Sequence, residues 1–293
     1  HPFLEKKAKE LGYEVTYDRK RTGYITLEGE DNSKTVCMGA HLDTIGLIVR
    51  HITDEGHLEV RQLGGINYSS IEGEGVTIHT RDGRKYRGMV ICKSHSVHVF
   101  DDARTAPRDE LHMEVILHED VKSKEDVMNL GIDHGDVISI DPHFEYTPSG
   151  YVKSRFIDDK AAVAALFEMI AYFKRNNLKP KYRTLLAFPL YEEIGHGGAY
   201  VPEEVSEYVA LDIGLIGPDY HGNETTVSIC AKDNYSPYDR GLTNRIILQA
   251  KKANLNYCVD VFYRYGTDAN AAIRAGNNVY AAAFGMACIN SHG

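Results

Sequence analysis

The chain has 293 residues, 43% hydrophobic and 26% charged, with a formal net charge of −9. That length gives one large α/β domain or two smaller ones with ample core, and the acidic balance, with no basic stripe, excludes a generic nucleic-acid surface. No apolar run reaches the roughly 18–20 residues that cross a bilayer, and five scattered cysteines without a Cys-x-x-Cys pair exclude a disulfide framework, so a reducing cytoplasm with no membrane attachment is the expected setting.

Residues 3–11, with Phe3, Leu4, Ala8 and Leu11 apolar and Gly12 as a stop, read as the end of a helix. The chain opens on His1-Pro2 ahead of it and stops at His292-Gly293 straight after a strand, so both ends read as truncated. Thr35 to Ala40 reads as a buried strand delivering His41. From about Gly46 to Gly150 the texture becomes short alternating strands, among them Leu58–Arg61, Val76–His79 and Met113–Leu117, with an Asp82-Gly83 hairpin signal. That stretch predicts a small β-domain over 46–150, whose exposed strand edges a partner subunit would cover. His95 and His98 within it read as a polar loop.

After Ser154 the α/β texture returns. Asp159 is placed to cap a helix reaching Arg175, with Val163, Leu166, Phe167, Ile170 and Phe173 on its buried face. Strands at 184–190, 208–213, 257–263 and 279–285 alternate with helices at about 240–253 and 268–275, which predicts a doubly wound, mainly parallel sheet. The expected architecture is one α/β domain, residues 1–45 plus 151–293, interrupted by the β-rich insert.

The chemistry-bearing residues fall at strand ends. Glu192-Glu193 follow the apolar run Leu185–Leu190 and precede a glycine-rich turn, His41-Leu42-Asp43 follow the strand at 35–40, and Asp212 stands at the C-terminal end of the strand at 208–213. Asp158 precedes a helix, where the dipole favours a carboxylate. Read singly, these are a solvated turn, a polar strand end and a helix cap. Read together they converge, because ligand sites in open α/β sheets form at the C-terminal edge of the strands. His, Asp and Glu meeting without cysteine point to a hydrolytic metal centre of zinc, cobalt or manganese. No Gly-x-Ser-x-Gly or comparable setting supports a Ser or Cys nucleophile. A glycosidase fits poorly, because adjacent carboxylates in an extended chain point to opposite sides.

The sequence resembles the dinuclear metallo-aminopeptidases of the glutamyl aminopeptidase, deblocking aminopeptidase and TET group. The matching pieces are Gly39–Gly46, Phe156–Lys160, Glu192–Gly195, Ala210–Gly214, Gly266–Ala269 and Ser291-His292, in the family's order across nearly the whole chain. The resemblance implies a catalytic domain interrupted by a PDZ-like dimerisation domain, and homo-oligomers of which the tetrahedral dodecamer built from dimers is one form. It implies two divalent ions per subunit, zinc first, with His41 and Asp212 on one, Glu193 and His292 on the other, and Asp158 bridging them. Glu192 matches the general base that activates a metal-bound hydroxide, and Asp43 the carboxylate that orients His41. The Asp158–Asp159 bond corresponds to one that is often cis. The chain departs from the family pattern at Asp159-Lys160, at His196 and in the run Ala287–His292. The expected activity is hydrolysis of N-terminal residues from short peptides. The rival expectations are a deacylase or other amidohydrolase on the same centre, and a catalytically silent assembly subunit.

Overall fold

The computed structural model describes residues 1–293 and divides them into two units, His1–Asp43 with Ile157–Ser291, and Thr44–Phe156 with His292–Gly293. The first unit opens with α1 (Pro2–Glu10), β1 (Thr16–Tyr17), β2 (Gly23–Leu27) and β3 (Asp31–Gly39). The second supplies β4 (Gly46–Ile52), β5 (Leu58–Leu63), β6 (Gly75–His79), β7 (Lys85–Cys92), β8 (Met113–Leu117), α2 (Lys124–Asn129), β9 (Val137–Ile140) and the hairpin strands β10 (Glu145–Tyr146) and β11 (Val152–Lys153). The chain then returns to the first unit with α3 (Ile157–Arg175), β12 (Tyr182–Phe188), β13 (Val205–Leu211), β14 (Gly214–Leu215) and β15 (Val227–Lys232). It closes with α4 (Arg240–Lys252), β16 (Tyr257–Val261), α5 (Asp268–Arg274) and β17 (Tyr280–Cys288).

The nine-stranded sheet of the first unit runs β1-β2-β12-β3-β13-β17-β15-β16, with β14 beside β17. At its centre β3 is parallel to both neighbours, β12 and β13, and β13 is parallel to β17. The sheet is mainly parallel, as expected, with antiparallel pairings of β2 against β12 and β15 against β17. The strands β2 and β15 are additions to those the sequence predicts.

Both faces of this sheet are buried, which is why its central strands read as continuous apolar runs. Leu186 and Phe188 of β12 pack with Ala162, Val163, Leu166, Phe167 and Ile170 of α3. The alternate residues Leu185 and Ala187 pack with Ala269 and Ala272 of α5. Each buried Leu or Phe contributes about 1.5–3 kcal/mol, so the strand ends that carry the polar residues project from a firmly packed base.

The second unit is a closed barrel in the order β4-β5-β8-β7-β6-β9, around Leu47, Val49, Leu58, Val60, Val76, Ile78, Val90, Val115 and Ile138. Each neighbouring pair is antiparallel. Closure corrects the expectation of exposed strand edges, because a barrel pairs every strand on both sides. The turn between β6 and β7 places Gly83 at φ 88°, a left-handed conformation that glycine adopts without a Cβ penalty. No helix of the chain is long and apolar enough to cross a membrane.

Candidate metal centre

The parallel pairing of β3 with β12 continues past the ends of both strands. Ala40 N donates to Ala187 O at 3.0 Å and Leu42 N donates to Pro189 O at 2.8 Å. This register carries Asp43 to the Glu192-Glu193 turn, where Oδ1 accepts the Glu192 N–H at 3.2 Å and Oδ2 the Glu193 N–H at 3.0 Å. Asp43 also stands beside His41, whose Nδ1 is 3.1 Å from the Asp43 carbonyl oxygen and 3.4 Å from Oδ1. That leaves Nε2 of His41 directed at Asp158 Oδ1, 2.9 Å away, and Glu192 Oε2, 3.7 Å away. Asp212 arrives from the end of β13, its backbone N–H on Phe284 O at 3.2 Å. The absence of a side chain at Gly285 makes room for it, since a Cβ there would collide with the Asp212 carbonyl oxygen.

Three overlapping sets of side chains result: His41 with Glu192 and Asp212, His41 with Asp158 and Glu193, and Asp158 with Asp159 and Asp212. Within each set the donor atoms lie within 4.8 Å of one another. Six of the residues quoted above are thus brought together. His292 falls in the second unit, where its Nδ1 lies 2.7 Å from the Gly65 carbonyl oxygen. The Asp158–Asp159 peptide bond is cis.

The electrostatics of the cluster are those of a site built for cations. Burial and the Asp212 carboxylate push the Glu192 carboxyl well up, and burial with Asp158 does the same to Asp212. Burial opposes protonation of His41, but hydrogen bonds to Asp158 and Asp43 and the charge of Glu192 raise it well above the ordinary histidine value. Asp159 is fully buried and its Oδ1 has no hydrogen-bond partner. A buried carboxylate oxygen without a donor is costly, and a divalent cation among these groups would supply the missing positive charge. One imidazole with several carboxylates and no thiolate suits zinc, cobalt or manganese.

Three contributors lie outside the ligand, base and orienting roles expected from the sequence. Asp159, read as a helix cap, instead accepts the backbone N–H of His41 on Oδ2 at 3.0 Å, and it lies outside helical geometry. Lys160, with its amine driven down by burial against the pull of nearby Asp43, donates to the Leu42 carbonyl at 2.5 Å. Asp268 is buried at the start of α5, accepts the Gly198 N–H at 2.5 Å, and is raised to about 6 by burial. The signal for each was its place inside a matching piece, Phe156–Lys160 or Gly266–Ala269.

The model of the M42 glutamyl aminopeptidase family matches residues 22–293. YhfE of Bacillus subtilis (strain 168), which carries an aminopeptidase name, is 38% identical over 291 residues, 99% of this chain and 84% of that protein. The fold is similar to that of a TET aminopeptidase from the marine sediment archaeon Thaumarchaeota archaeon SCGC AB-539-E09, with a TM-score of 0.85 at 20% identity, covering 99% of this chain and 83% of that one. It is also similar to the Pyrococcus horikoshii TET1 peptidase, with a TM-score of 0.84 at 24% identity over 99% and 86% of the two chains. With the ordered motifs and the clustered carboxylates, these matches establish that the chain belongs to the M42 glutamyl aminopeptidase family.

Proposed function

We propose that this chain is a metal-dependent aminopeptidase that removes N-terminal residues from short peptides, with Glu192 as general base and two divalent cations held by His41, Asp158, Glu193, Asp212 and His292. The observation that carries this reading is the division of two adjacent glutamates between two sets, Glu192 with His41 and Asp212, Glu193 with His41 and Asp158. One supplies a ligand while its neighbour stays within reach of a water held at the same centre. The place of His292 in the set rests on the family resemblance alone.

Zinc, or cobalt or manganese in its stead, would lower the pKa of a water at the centre and polarise the scissile carbonyl. The protein's own groups do the rest. Asp43 fixes the imidazole of His41 by its Nδ1 side and holds the Glu192-Glu193 turn by two backbone N–H groups. Glu192 accepts the water proton at a carboxylate oxygen and returns it to the leaving amine nitrogen, a contribution of about 10²–10⁴-fold.

A panel of fluorogenic aminoacyl and N-acetylated substrates, assayed with each of the three metals, tests the reading. Turnover confined to substrates with a free α-amine supports it. Turnover confined to the acetylated ones makes the chain a deacylase on the same centre, and none by a fully metal-loaded protein makes it an assembly subunit.

Catalysis is assigned in this proposal to residues 1–45 and 151–293 and subunit assembly to 46–150. Its support is likeness to the TET1 peptidase, which assembles into a tetrahedron or a large octahedral shell. Light scattering of the metal-loaded protein checks it: a closed oligomer is expected, and a fully active monomer contradicts it.

A further inference from the structure

Asp43 holds the two glutamates where the turn begins, by the N–H groups of Glu192 and Glu193. The chain that leaves them is rich in glycine, with Gly195, Gly197 and Gly198 in quick succession, and glycine does little to restrict its own backbone. Inside the turn, Gly195 N donates to Glu192 O at 2.7 Å and His196 N to Tyr191 O at 3.0 Å. The single 3₁₀ turn Gly197–Ala199 that comes next has no side-chain cap of its own. Its hold comes from α5.

Oδ1 of Asp268, the first residue of α5, accepts the Gly198 N–H at 2.5 Å, and both partners are buried. Past the other end of the helix, Asn277 Nδ2 donates to Ala199 O at 3.1 Å and to Ala272 O at 2.9 Å. Residues at the two ends of α5 thus grip neighbouring backbone groups of the 3₁₀ turn. The helix is itself seated on the strand that delivers the glutamates, with Ala269 and Ala272 against Leu185 and Ala187 of β12. The approach is close. A Cβ at Gly197 would lie 2.5 Å from each oxygen of the Asp268 carboxylate, and one at Gly198 would collide with the Asp268 carbonyl oxygen. Neither glycine has a left-handed φ, so contact with Asp268, not backbone conformation, calls for glycine at both positions.

We propose that Asp268 is a positioning residue for the metal centre. It fixes the exit of the Glu192-Glu193 turn from α5, as Asp43 fixes its entry from beyond β3, and Gly197-Gly198 leave the space it needs. With both ends held, the glutamates keep their separate places, Glu192 with His41 and Asp212, Glu193 with His41 and Asp158. Asp268 acts through the backbone of the turn. Its effect on hydrolysis rests on the aminopeptidase reading, whereas its effect on metal binding rests on the cluster alone.

The test titrates zinc calorimetrically into chelator-stripped parent, Asp268→Ala, Asp268→Asn, Gly197→Ala and the Asp268→Ala/Gly197→Ala double variant, and measures kcat and KM of each at saturating metal. Asp268→Ala is expected to weaken zinc binding about tenfold, the lower end of what groups that orient metal ligands contribute. Its kcat falls while KM stays, because the proton acceptor moves and the seat of the substrate does not. Asp268→Asn keeps an oxygen to accept the Gly198 N–H and recovers most of both losses. Gly197→Ala leaves the carboxylate in place but pushes on it, so it reproduces the losses and serves as the test should Asp268→Ala not fold. In the double variant the obstruction is gone, and the second substitution adds little to the first, the non-additivity of residues in contact. Parent-like zinc affinity in Asp268→Ala, a loss that Asp268→Asn shares in full, or losses that simply add in the double variant overturn the proposal. A parent that binds zinc but hydrolyses no peptide sinks the aminopeptidase reading while the zinc titrations decide Asp268, whereas a hydrolysing parent with an indifferent Asp268→Ala does the reverse.

Discussion

Oδ2 of Asp43 accepts the backbone N–H of Glu193 at 3.0 Å, so a residue beyond the end of one parallel strand fixes the turn beyond its neighbour. The same carboxylate takes the Glu192 N–H and stands 3.4 Å from His41 Nδ1. One side chain thus aligns the base and two of the proposed ligands. Partners of metal ligands are typically worth 10–100-fold in affinity or activity. Asp43→Ala should therefore weaken metal binding and lower kcat together by about that factor, as read by calorimetric titration and turnover at saturating metal. Parent-like values for both would remove Asp43 from the account.

Glu192→Gln tests the base. The amide keeps the size of the side chain and the turn's backbone bonds but cannot accept the proton. Metal stoichiometry should stay at the parent value while turnover falls about 10²–10⁴-fold. Near-normal turnover in the metal-loaded variant sinks the assignment.

Asp158, like His41 and Asp212, belongs to two of the three donor sets, in company with Glu193 in one and with Asp212 in the other. The proposed role of Asp158 as a bridge between two ions is consistent with that position. Asp158→Ala should impair binding of both ions, whereas His41→Ala or His292→Ala should weaken mainly one. An Asp158→Ala protein that still binds two ions tightly contradicts the bridge.

What was legible in the sequence was legible for a physical reason. The core strands β3, β12 and β13 are buried on both faces, so Leu185–Phe188 and Tyr208–Leu211 form unbroken apolar runs, and a charge straight after such a run is conspicuous. The helix α3 shows in the spacing of Val163, Leu166, Phe167 and Ile170. The strand β15 does not show, because the polar Ser228 is buried within Val227–Lys232 and interrupts the pattern. Nor does its antiparallel course beside β17, since strand direction is decided by a partner far along the chain. Closure of the barrel is hidden for the same reason: alternation reveals strands, not whether the first of them finds the last. Asp159 was misread because a carboxylate ahead of a helix looks like a cap whichever N–H it finally accepts.

Glu207 offers a test away from the centre. Burial opposes its ionisation, but bonds from Lys34 Nζ at 2.5 Å and Arg245 Nη2 at 2.6 Å outweigh burial and hold the carboxyl below the ordinary glutamate range. A folded-state pKa below the unfolded one contributes stability that is full above the unfolded value, near 4.3, and is lost as pH falls through the folded value. Because Lys34 and Arg245 are 29% and 52% exposed, solvent screens the pair. Glu207→Gln should accordingly cost about 1–2 kcal/mol at pH 7, less than a fully buried pair. Chemical denaturation of parent and variant should show that gap at pH 7 and its shrinkage once pH falls below the usual glutamate value. A gap that widens on acidification contradicts the pairing.

The central claim is that His41, Asp158, Glu192, Glu193 and Asp212 form a cation-dependent hydrolytic centre. The most direct measurement is the aminopeptidase rate of chelator-stripped protein as zinc, cobalt or manganese is titrated back, with bound metal counted at each point. The account predicts no turnover in the stripped protein and a rate that rises until two ions per chain are bound. Hydrolysis that persists without metal, or a protein that binds no divalent ion at this cluster, would contradict it.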